Sequence, residues 1–300
     1  MKIAIVGNGA IGNLLAAQCQ GCGLSYQLLT RSGEPLRITF SDITGHTSIL
    51  TPQVSTMAQP GSFDILILPL KAGQIIPALE QLSAHLNPSQ QIILLHNGMG
   101  CIDQAKALLP DIPILAATTS YAAYKPNDQQ CIETGLGESH IGWVNQRPGD
   151  SASSVLALLE KLLPPTTWHD NILPALWFKL AINAAINPLT ALEQIPNGQL
   201  RHEQYQSIIR KICEESCALM QALDMQIEVD EILSKVYEVI DLTAKNYSSM
   251  NRDIALKRPT EIAFINGYIV AMGAKLGIPT PVNLQLTKRI SQLEAKSIRA

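Results

Sequence analysis

The feature that most constrains the fold is a glycine-rich turn placed directly after the first apolar run of the chain. Residues 2–6 are typical of a short strand, and the six residues that follow, Gly7-Asn8-Gly9-Ala10-Ile11-Gly12, open a predicted helix over 10–22. In this G-x-G-x-x-G pattern the first glycine permits a tight turn, the second lets a ligand approach the backbone, and the third lets helix and strand pack closely. The pattern predicts a dinucleotide site with the pyrophosphate at the helix N-terminus.

The first half of the chain continues as an alternation of predicted strands and helices. Further strands are predicted at 25–30, 64–70, 91–95 and 112–119, with helices at 73–86 and 102–109. Peripheral strands or hairpins are predicted at 36–40, 47–50 and 122–144. Because strands that alternate with helices of this length form parallel sheets covered on both faces, the pattern predicts an α/β, Rossmann-type dinucleotide-binding domain.

The second half changes character after residue 168, where helical periodicity replaces the strands. Helices are predicted at 172–187, 201–223, 230–245, 249–256, 260–276 and 281–297. A chain of 300 residues is long enough for two cores. We therefore expect an N-terminal dinucleotide-binding domain over 1–168 and a C-terminal all-α domain over 169–300.

The charge balance argues against several classes of function. Twenty-two Lys+Arg against 25 Asp+Glu give a net charge of −3 with no basic stripe, so we expect no nucleic-acid partner. No uninterrupted apolar run reaches the roughly 20 residues that span a bilayer, and no basic amphipathic helix is found, so we expect no membrane partner. The N-terminus enters the first strand at once and shows no leader pattern.

Cysteine usage indicates a reducing compartment. Six cysteines are sparse for a chain of this length, so we expect free thiols in the cytoplasm. Cys19 and Cys22 have the C-x-x-C spacing, but neither a second pair nor an adjacent histidine completes a ligand set. We expect no metal site.

The residue after the second predicted strand indicates which dinucleotide binds. NAD sites usually place Asp or Glu there to bond the ribose hydroxyls. This chain has Thr30-Arg31-Ser32, and its first acidic residue is Glu34. Because a guanidinium binds the 2′-phosphate of NADPH through two hydrogen bonds, whereas a carboxylate would repel it, Arg31 favours NADPH.

A polar stripe is predicted on an otherwise apolar helix in the second half. Lys179, Asn183 and Asn187 recur every four residues, which places them along one helix face. The residues between them are apolar, so the helix is predicted to be buried nearly all round. A lysine and two amides are costly there unless a partner or ligand satisfies them, so the stripe indicates a polar cleft. Pro188 is predicted to end or bend this helix just after Asn187.

Further motifs accompany the glycine turn and the lysine helix. They are Lys71-Ala72, Asn97-Gly98-Met99-Gly100, Trp177-x-Lys179-Leu180-x-x-Asn183-x-x-x-Asn187-Pro188-Leu189-Thr190-Ala191, Pro196-Asn197-Gly198, Ser248-Ser249-Met250-x-x-Asp253 and Glu261-Ile262-x-x-Ile265-Asn266-Gly267. With Gly7, Gly9, Gly12 and Arg31, these motifs resemble the ketopantoate reductase (2-dehydropantoate 2-reductase) family over essentially the full length of the chain.

The resemblance implies an activity, a cofactor and a set of site residues. The implied reaction is the NADPH-dependent reduction of ketopantoate to (R)-pantoate, a cytoplasmic step towards pantothenate and coenzyme A. Lys179 is implied as the catalytic lysine and Glu261 as its acidic partner. The implied substrate-binding residues are Asn97, Asn183, Asn187, Asn246 and Ser249. The implied cofactor-binding residues are Gly7, Asn8, Gly9, Ala10, Ile11, Gly12, Arg31, Lys71, Asn97 and Glu261.

Glu261 and His96 each have a simpler interpretation from the residues alone. Pro259-Thr260-Glu261 fits the first turn of a helix, where the helix dipole favours a carboxylate whatever its function. His96 precedes Asn97 and is expected to make a local hydrogen bond at a strand end, although a histidine beside a nicotinamide site can also titrate near neutral pH.

Two other functions fit the same motifs. One is reduction of a different 2-keto acid, which a panel of substrates would distinguish. The other is an NADPH-binding sensor without turnover, in which Lys179, Asn183 and Glu261 would have no catalytic role. NADPH oxidation in the presence of ketopantoate separates an enzyme from a sensor. The sequence is compatible with a monomer or a homodimer.

Overall fold

The computed structural model describes residues 1–145 and 151–299 of the chain. The chain divides into two compact units, one formed by Met1–His96 with Cys101–Ile172 and the other by Asn97–Gly100 with the residues from Leu173 onward. Strands alternate with helices in the first unit, and the described residues of the second unit from Leu173 onward form helices joined by loops. The predicted α/β fold with an all-α C-terminal part is therefore confirmed. The predicted domain limit at residue 168 remains a prediction.

The first unit contains all the strands of the described chain. They are β1 (Lys2–Val6), β2 (Ser25–Thr30), β3 (Ile38–Ser41), β4 (Thr47–Leu50), β5 (Gln53–Thr56), β6 (Ile65–Leu68), β7 (Gln91–Leu95), β8 (Ile114–Thr119), β9 (Ala122–Asn127), β10 (Gln130–Gly135), β11 (Ser139–Trp143) and β12 (Thr166–Trp168). Its helices are α1 (Ala10–Gly21), α2 (Ala72–Leu82), α3 (Ile102–Leu108) and α4 (Ser151–Leu162), with a 3-10 turn at Ser83–His85.

The main sheet determines where the ends of the strands meet. It has eight strands in the order β12-β11-β8-β7-β6-β1-β2-β5, and the six from β8 to β5 are parallel. Strand β6 is buried along its whole length, which is typical of a sheet covered on both faces. Because parallel strands end at the same edge, the residues after β1, β2 and β6 share that edge, where α/β folds bind ligands.

Strand β5 was not predicted from the sequence. It pairs with β2 at the edge of the main sheet, with Leu28 opposite Val54. Val54 is its single apolar residue, so the hydrophobic pattern that reveals a strand is missing. An edge strand needs backbone hydrogen bonds with only one neighbour, and its side chains carry little of the signal.

A second sheet of four strands, in the order β4-β3-β10-β9, covers α1. The predicted peripheral pair is present as the antiparallel strands β3 and β4, and β9 and β10 form a second antiparallel pair. Strand β11 was predicted within the same hairpin-like segment but joins the main sheet, antiparallel to β8. Phe40 and Cys131 from the small sheet are buried in one hydrophobic core with Leu15 of α1.

The second unit is built around one long apolar helix. Its helices are α5 (Leu173–Glu193), α6 (Glu203–Ala222), α7 (Val229–Leu242), α8 (Ser249–Ala255), α9 (Asn266–Leu276) and α10 (Pro281–Arg299), with 3-10 turns at Asn197–Arg201 and Ile262–Phe264. By length and composition alone, α5 is apolar enough to cross a membrane. However, 67% of its most apolar window is buried in the folded chain, which is typical of a core helix.

The predicted end of α5 at residue 187 is wrong, because the helix continues through Pro188 to Glu193. Proline lacks the N–H that would bond the carbonyl of Ala184, four residues earlier. The side-chain amide of Asn266, at the start of α9, donates to this carbonyl at 3.1 Å. A tertiary hydrogen bond therefore replaces the missing helical one, and the buried carbonyl remains satisfied.

The predicted helix over 260–276 begins later than expected. Glu261 precedes the 3-10 turn Ile262–Phe264, and α9 begins only at Asn266. The Glu261 side chain makes no capping hydrogen bond, whereas the Thr260 hydroxyl accepts the Ile262 N–H at 3.3 Å. Glu261 is therefore not in the first turn of an α-helix, and helix capping does not account for this residue.

Candidate active site

The glycine turn has the geometry that the sequence predicts for a dinucleotide site. Gly7 adopts a positive φ of 86°, and a Cβ on Gly12 would lie 2.8 Å from the Gly7 carbonyl oxygen, so helix and turn pack as closely as glycine allows. A Cβ on Gly9 would meet no atom within 4 Å, and Gly9 provides no side-chain cap for α1. The open side of the turn faces uncapped helical N–H groups, which fits the pyrophosphate of a dinucleotide.

Arg31 lies at a pocket, as a residue that binds the adenosine end of a dinucleotide should. It directly follows β2, and the pocket, of about 280 Å³, is lined by Thr30, Arg31, Thr56, Met57, Ala58 and Gln81. The unpredicted strand β5 supplies one wall, because Thr56 is its last residue. The guanidinium is exposed, and so is available to an anionic ligand.

Lys71 also lies at this edge of the main sheet. It follows β6 at the N-cap position of α2, in an extended conformation, and its carbonyl accepts the Gln74 N–H at 2.8 Å. Its side chain is partly buried. Three features of the first unit are predicted to hold the cofactor. They are the glycine turn, Arg31 and Lys71, which follow β1, β2 and β6 of the parallel part of the main sheet.

The loop that carries Asn97 is held against the segment after Glu261. The Met99 N–H donates to the Phe264 carbonyl at 2.8 Å. Gly98 has a φ of 78°, and a Cβ there would lie 2.5 Å from the same carbonyl oxygen, so this position requires glycine. The structure therefore brings the loop that carries Asn97 together with the turn that begins at Glu261.

His96 makes the local hydrogen bond that the sequence predicts. Its Nε2 atom lies 3.0 Å from the Sγ atom of Cys101. His96 and Cys101 are the residues immediately before and after the loop Asn97–Gly100, so their contact joins the two ends of that loop within the first unit. Cys101 is 1% exposed and His96 is partly exposed, so the contact is partly buried.

The polar stripe of α5 is partly exposed at Lys179 and Asn183 and buried at Asn187. Lys179 and Asn183 are partly exposed and Asn187 is 6% exposed, whereas Leu180 and Ala184 are fully or almost fully buried. Within the described part of the chain, the side-chain amides of Asn183 and Asn187 form no hydrogen bond. Asn183 is open to water, whereas an amide as buried as that of Asn187 is costly unless water or a ligand completes its hydrogen bonds.

The segments that carry Asn246, Ser249 and Glu261 belong to the second unit. The Asn246 carbonyl accepts the Asn197 N–H at 2.8 Å. Ser249 is exposed in the first turn of α8, and this turn is fixed to α5 because the Thr190 hydroxyl donates to Ser248 at 2.7 Å. Glu261 is 8% exposed. The contacts of Asn246 and Ser248 therefore fix the segments that carry two of the predicted substrate residues within the second unit.

Asn197 was given no role from the sequence alone. Its side-chain amide donates to the Thr243 hydroxyl at 2.9 Å, while its Oδ1 atom is buried without a hydrogen-bond partner in the described part of the chain. The only available signal was its place in the motif Pro196-Asn197-Gly198. A buried acceptor of this kind can be satisfied by a hydroxyl group of a ligand.

Together, these features define a class of protein. The first unit has a Rossmann-type sheet with an open glycine turn, and the second has a lysine and two amides on one helix face. This combination is typical of a dinucleotide-dependent oxidoreductase. Models of the ketopantoate reductase family match the chain over 3–146 (Ketopantoate reductase PanE/ApbA) and 171–294 (Ketopantoate reductase PanE/ApbA C terminal). The chain belongs to the ketopantoate reductase family.

Individual relatives agree with this membership over almost their full lengths. The chain is 37% identical to a 2-dehydropantoate 2-reductase of Vibrio cholerae over 294 residues, covering 98% of each chain. It is 35% identical to one of Shigella flexneri over 300 residues, covering 99% of this chain and 96% of that relative. A solved ketopantoate reductase of Ralstonia eutropha is 25% identical with a TM-score of 0.88 and 99% coverage of both chains. A D-mandelate dehydrogenase bound to NADH shares the fold, with a TM-score of 0.91 at 22% identity and 99% coverage of both chains.

Proposed function

We propose that this protein reduces 2-dehydropantoate to (R)-pantoate with NADPH, a cytoplasmic step towards pantothenate and coenzyme A. The names of relatives at 35–37% identity support this substrate. The structural observation that carries the proposal is the stripe of α5, where a lysine and two amides lie along one face of a helix that is otherwise largely buried. A ketone flanked by a carboxylate is a ligand that such groups can bind and polarise.

Lys179 carries the proton chemistry in this proposal. NADPH, when bound, supplies the hydride for the ketone carbon. The Lys179 ammonium stabilises the negative charge that develops on the ketone oxygen and delivers the proton that completes the hydroxyl group. Glu261, buried in the same unit, orients the ammonium. A lysine on a long rigid helix keeps its position better than one on a loop.

Amide and hydroxyl groups hold the substrate. Asn183 and Asn187 donate to its carboxylate and hydroxyl oxygens from the stripe of α5, with Asn246, Ser249 and Asn97 as further contacts. The buried Oδ1 atom of Asn197 is an additional acceptor for a substrate hydroxyl.

The cofactor is held by residues that follow the parallel strands. The N–H groups of Gly7-Asn8-Gly9-Ala10-Ile11-Gly12 bind the pyrophosphate, and Arg31 binds the 2′-phosphate in its pocket. Lys71, Asn97 and Glu261 complete the set towards the nicotinamide. The open space at Gly9 and the uncapped start of α1 support this assignment.

The activity is tested by following NADPH absorbance with purified protein and a panel of 2-keto acids. We expect the highest kcat/KM with 2-dehydropantoate, and lower values with pyruvate, 2-oxoisovalerate and phenylglyoxylate. A higher kcat/KM with another member of the panel would reassign the substrate. NADPH binding without any turnover across the panel would favour a sensor protein.

We also propose that the protein works as a monomer or homodimer. Light scattering after size-exclusion chromatography should give a mass of 32.6 kDa or twice that value.

The proposed compartment is the cytoplasm. All six cysteines lie in the described residues as thiols, which supports a reducing compartment.

Asn183→Ala should weaken substrate binding. Its amide bonds no described residue, so its loss should cost substrate contacts and leave the fold intact. We expect KM for 2-dehydropantoate to rise about three- to tenfold, as for the loss of one neutral hydrogen bond, with KM for NADPH unchanged.

Asn251→Ala is the matched control for this substitution. The Asn251 amide donates to the Thr190 carbonyl at 2.7 Å, so its removal should lower Tm instead of changing KM. If Asn183→Ala lowers Tm and leaves KM unchanged, Asn183 is a structural residue and the substrate assignment fails.

Glu261→Gln should reduce catalysis in a folded protein. Glutamine keeps the size and much of the hydrogen bonding but removes the charge that orients Lys179. We expect kcat/KM to fall at least about tenfold, or ~1.4 kcal/mol of transition-state stabilisation. Parental kinetics in this variant would leave Lys179 acting without Glu261.

Glu294→Gln serves as a control in the same unit. Glu294 accepts the Thr260 hydroxyl at 2.8 Å, beside the turn that carries Glu261, but is not among the residues assigned to the site. We expect kcat/KM to stay within about twofold of the parent.

A further inference from the structure

A lysine of the small sheet lies against the glycine turn. Lys125, on β9, donates from Nζ to the carbonyl oxygen of Asn8 at 2.9 Å, across 117 positions of sequence. Its side chain is 16% exposed, so the ammonium is largely withdrawn from solvent. The small sheet contacts the turn a second time, because the Sγ atom of Cys131 on β10 lies 3.5 Å from the Ala10 carbonyl.

This position places a cation beside the positive end of a helix. The N-terminus of α1 carries the positive end of the helix dipole, and its first turn contains no acidic residue. The ion-pair partner of Lys125 among the described residues is Asp128, at 3.5 Å, whose carboxylate is fully exposed and therefore screened by solvent. Burial raises the pKa of the Cys131 thiol to about 11, so at neutral pH this neighbour is uncharged and does not offset the ammonium.

An anionic ligand at the turn would be attracted both by the helix N-terminus and by the Lys125 ammonium. The pyrophosphate of a dinucleotide is the anion for which the turn is shaped, and two hydrogen bonds from different strands already hold the small sheet against it. Because these contacts fix Lys125 in the protein itself, little side-chain entropy remains to be lost when the cofactor binds.

We propose that Lys125 is a cofactor-binding residue whose ammonium adds positive charge for the pyrophosphate at the glycine turn. The proposal rests on the proposed function, since it presumes a dinucleotide cofactor. Lys125 would contact the pyrophosphate, which NADPH and NADH have in common, whereas Arg31 would bind the 2′-phosphate, which only NADPH has.

The test measures binding to the protein without substrate, by calorimetry, for the parent, Lys125→Gln and Lys125→Arg. The probes are NADPH, NADH and adenosine 2′-monophosphate, which has the 2′-phosphate but no pyrophosphate. We expect Lys125→Gln to weaken NADPH and NADH by about the same factor, near tenfold, and to leave adenosine 2′-monophosphate unchanged. Lys125→Arg should restore most of the affinity because it keeps the charge.

Lys106→Gln is the matched control, because Lys106 on α3 also forms an i,i+3 ion pair, with Asp103 at 3.8 Å. It should leave all three affinities unchanged.

Three results would overturn the proposal. They are unchanged NADPH and NADH affinity in Lys125→Gln, equal weakening of all three probes in that variant, and a failure of Lys125→Arg to restore binding. If the parent binds NADH but not NADPH, the proposed cofactor is wrong, and the NADH measurements still decide the role of Lys125.

Discussion

Lys179→Ala should lower kcat for 2-dehydropantoate by ~10²–10⁴-fold, the range expected when a general acid is removed. The physical reason is that charge develops on the ketone oxygen only during the chemical step, and Lys179 is the cation of the polar stripe of α5. Steady-state kinetics at saturating NADPH provide the measurement, with circular dichroism to establish that the variant is folded. KM for NADPH should change far less than kcat.

Lys211→Ala is the matched control for Lys179. Lys211 is an exposed lysine on helix α6 of the same unit, so its removal tests whether any helical lysine of this unit affects turnover. We expect parental kcat in Lys211→Ala. If Lys179→Ala also keeps parental kcat, then the proton comes from water or another residue, and the catalytic assignment is wrong.

Arg31→Ala should weaken NADPH binding by about ten- to a hundredfold and leave NADH binding nearly unchanged. The estimate follows from the loss of a charge-assisted hydrogen-bonded contact, ~1.5–3 kcal/mol. The 2′-phosphate is the group that distinguishes the two cofactors, so the ratio of their dissociation constants isolates this contact. Calorimetry or quenching of protein fluorescence measures both affinities.

Arg37→Ala is a suitable control, because Arg37 is an exposed arginine six positions further along the chain that does not line the pocket. It should leave the NADPH to NADH ratio unchanged. Equal weakening of NADPH and NADH in Arg31→Ala would assign Arg31 to another part of the cofactor. A parent protein that prefers NADH would contradict the choice of NADPH itself.

Local sequence determined the features that depend on neighbours along the chain. The glycine turn could be predicted because its tight geometry and the close packing of helix on strand require glycine at fixed spacings, whatever surrounds it. The stripe of Lys179, Asn183 and Asn187 could be predicted because a helix brings residues four apart onto one face. The main strands were recognisable because burial on both faces demands continuous apolar runs.

Tertiary structure decided the features that depend on distant partners. Strand β5 is polar and forms only because β2 offers an edge, and it supplies part of the wall of the Arg31 pocket. Helix α5 passes Pro188 because Asn266 satisfies the carbonyl that the proline leaves without a partner. Glu261 lies outside an α-helix because the chain makes a 3-10 turn there, with Phe264 accepting the Met99 N–H.

Lys125 shows most clearly the difference between what local sequence determines and what tertiary structure decides. In the sequence it is one lysine in a hairpin, with neither a motif nor a periodicity that would distinguish it. Its significance comes from packing of the small sheet on α1, which brings β9 to the carbonyl of Asn8. The sequence by itself determined the cofactor turn and the lysine helix, because backbone geometry and helical periodicity are local. Only the tertiary structure decided which distant side chains reach them, because such contacts depend on how separate elements pack.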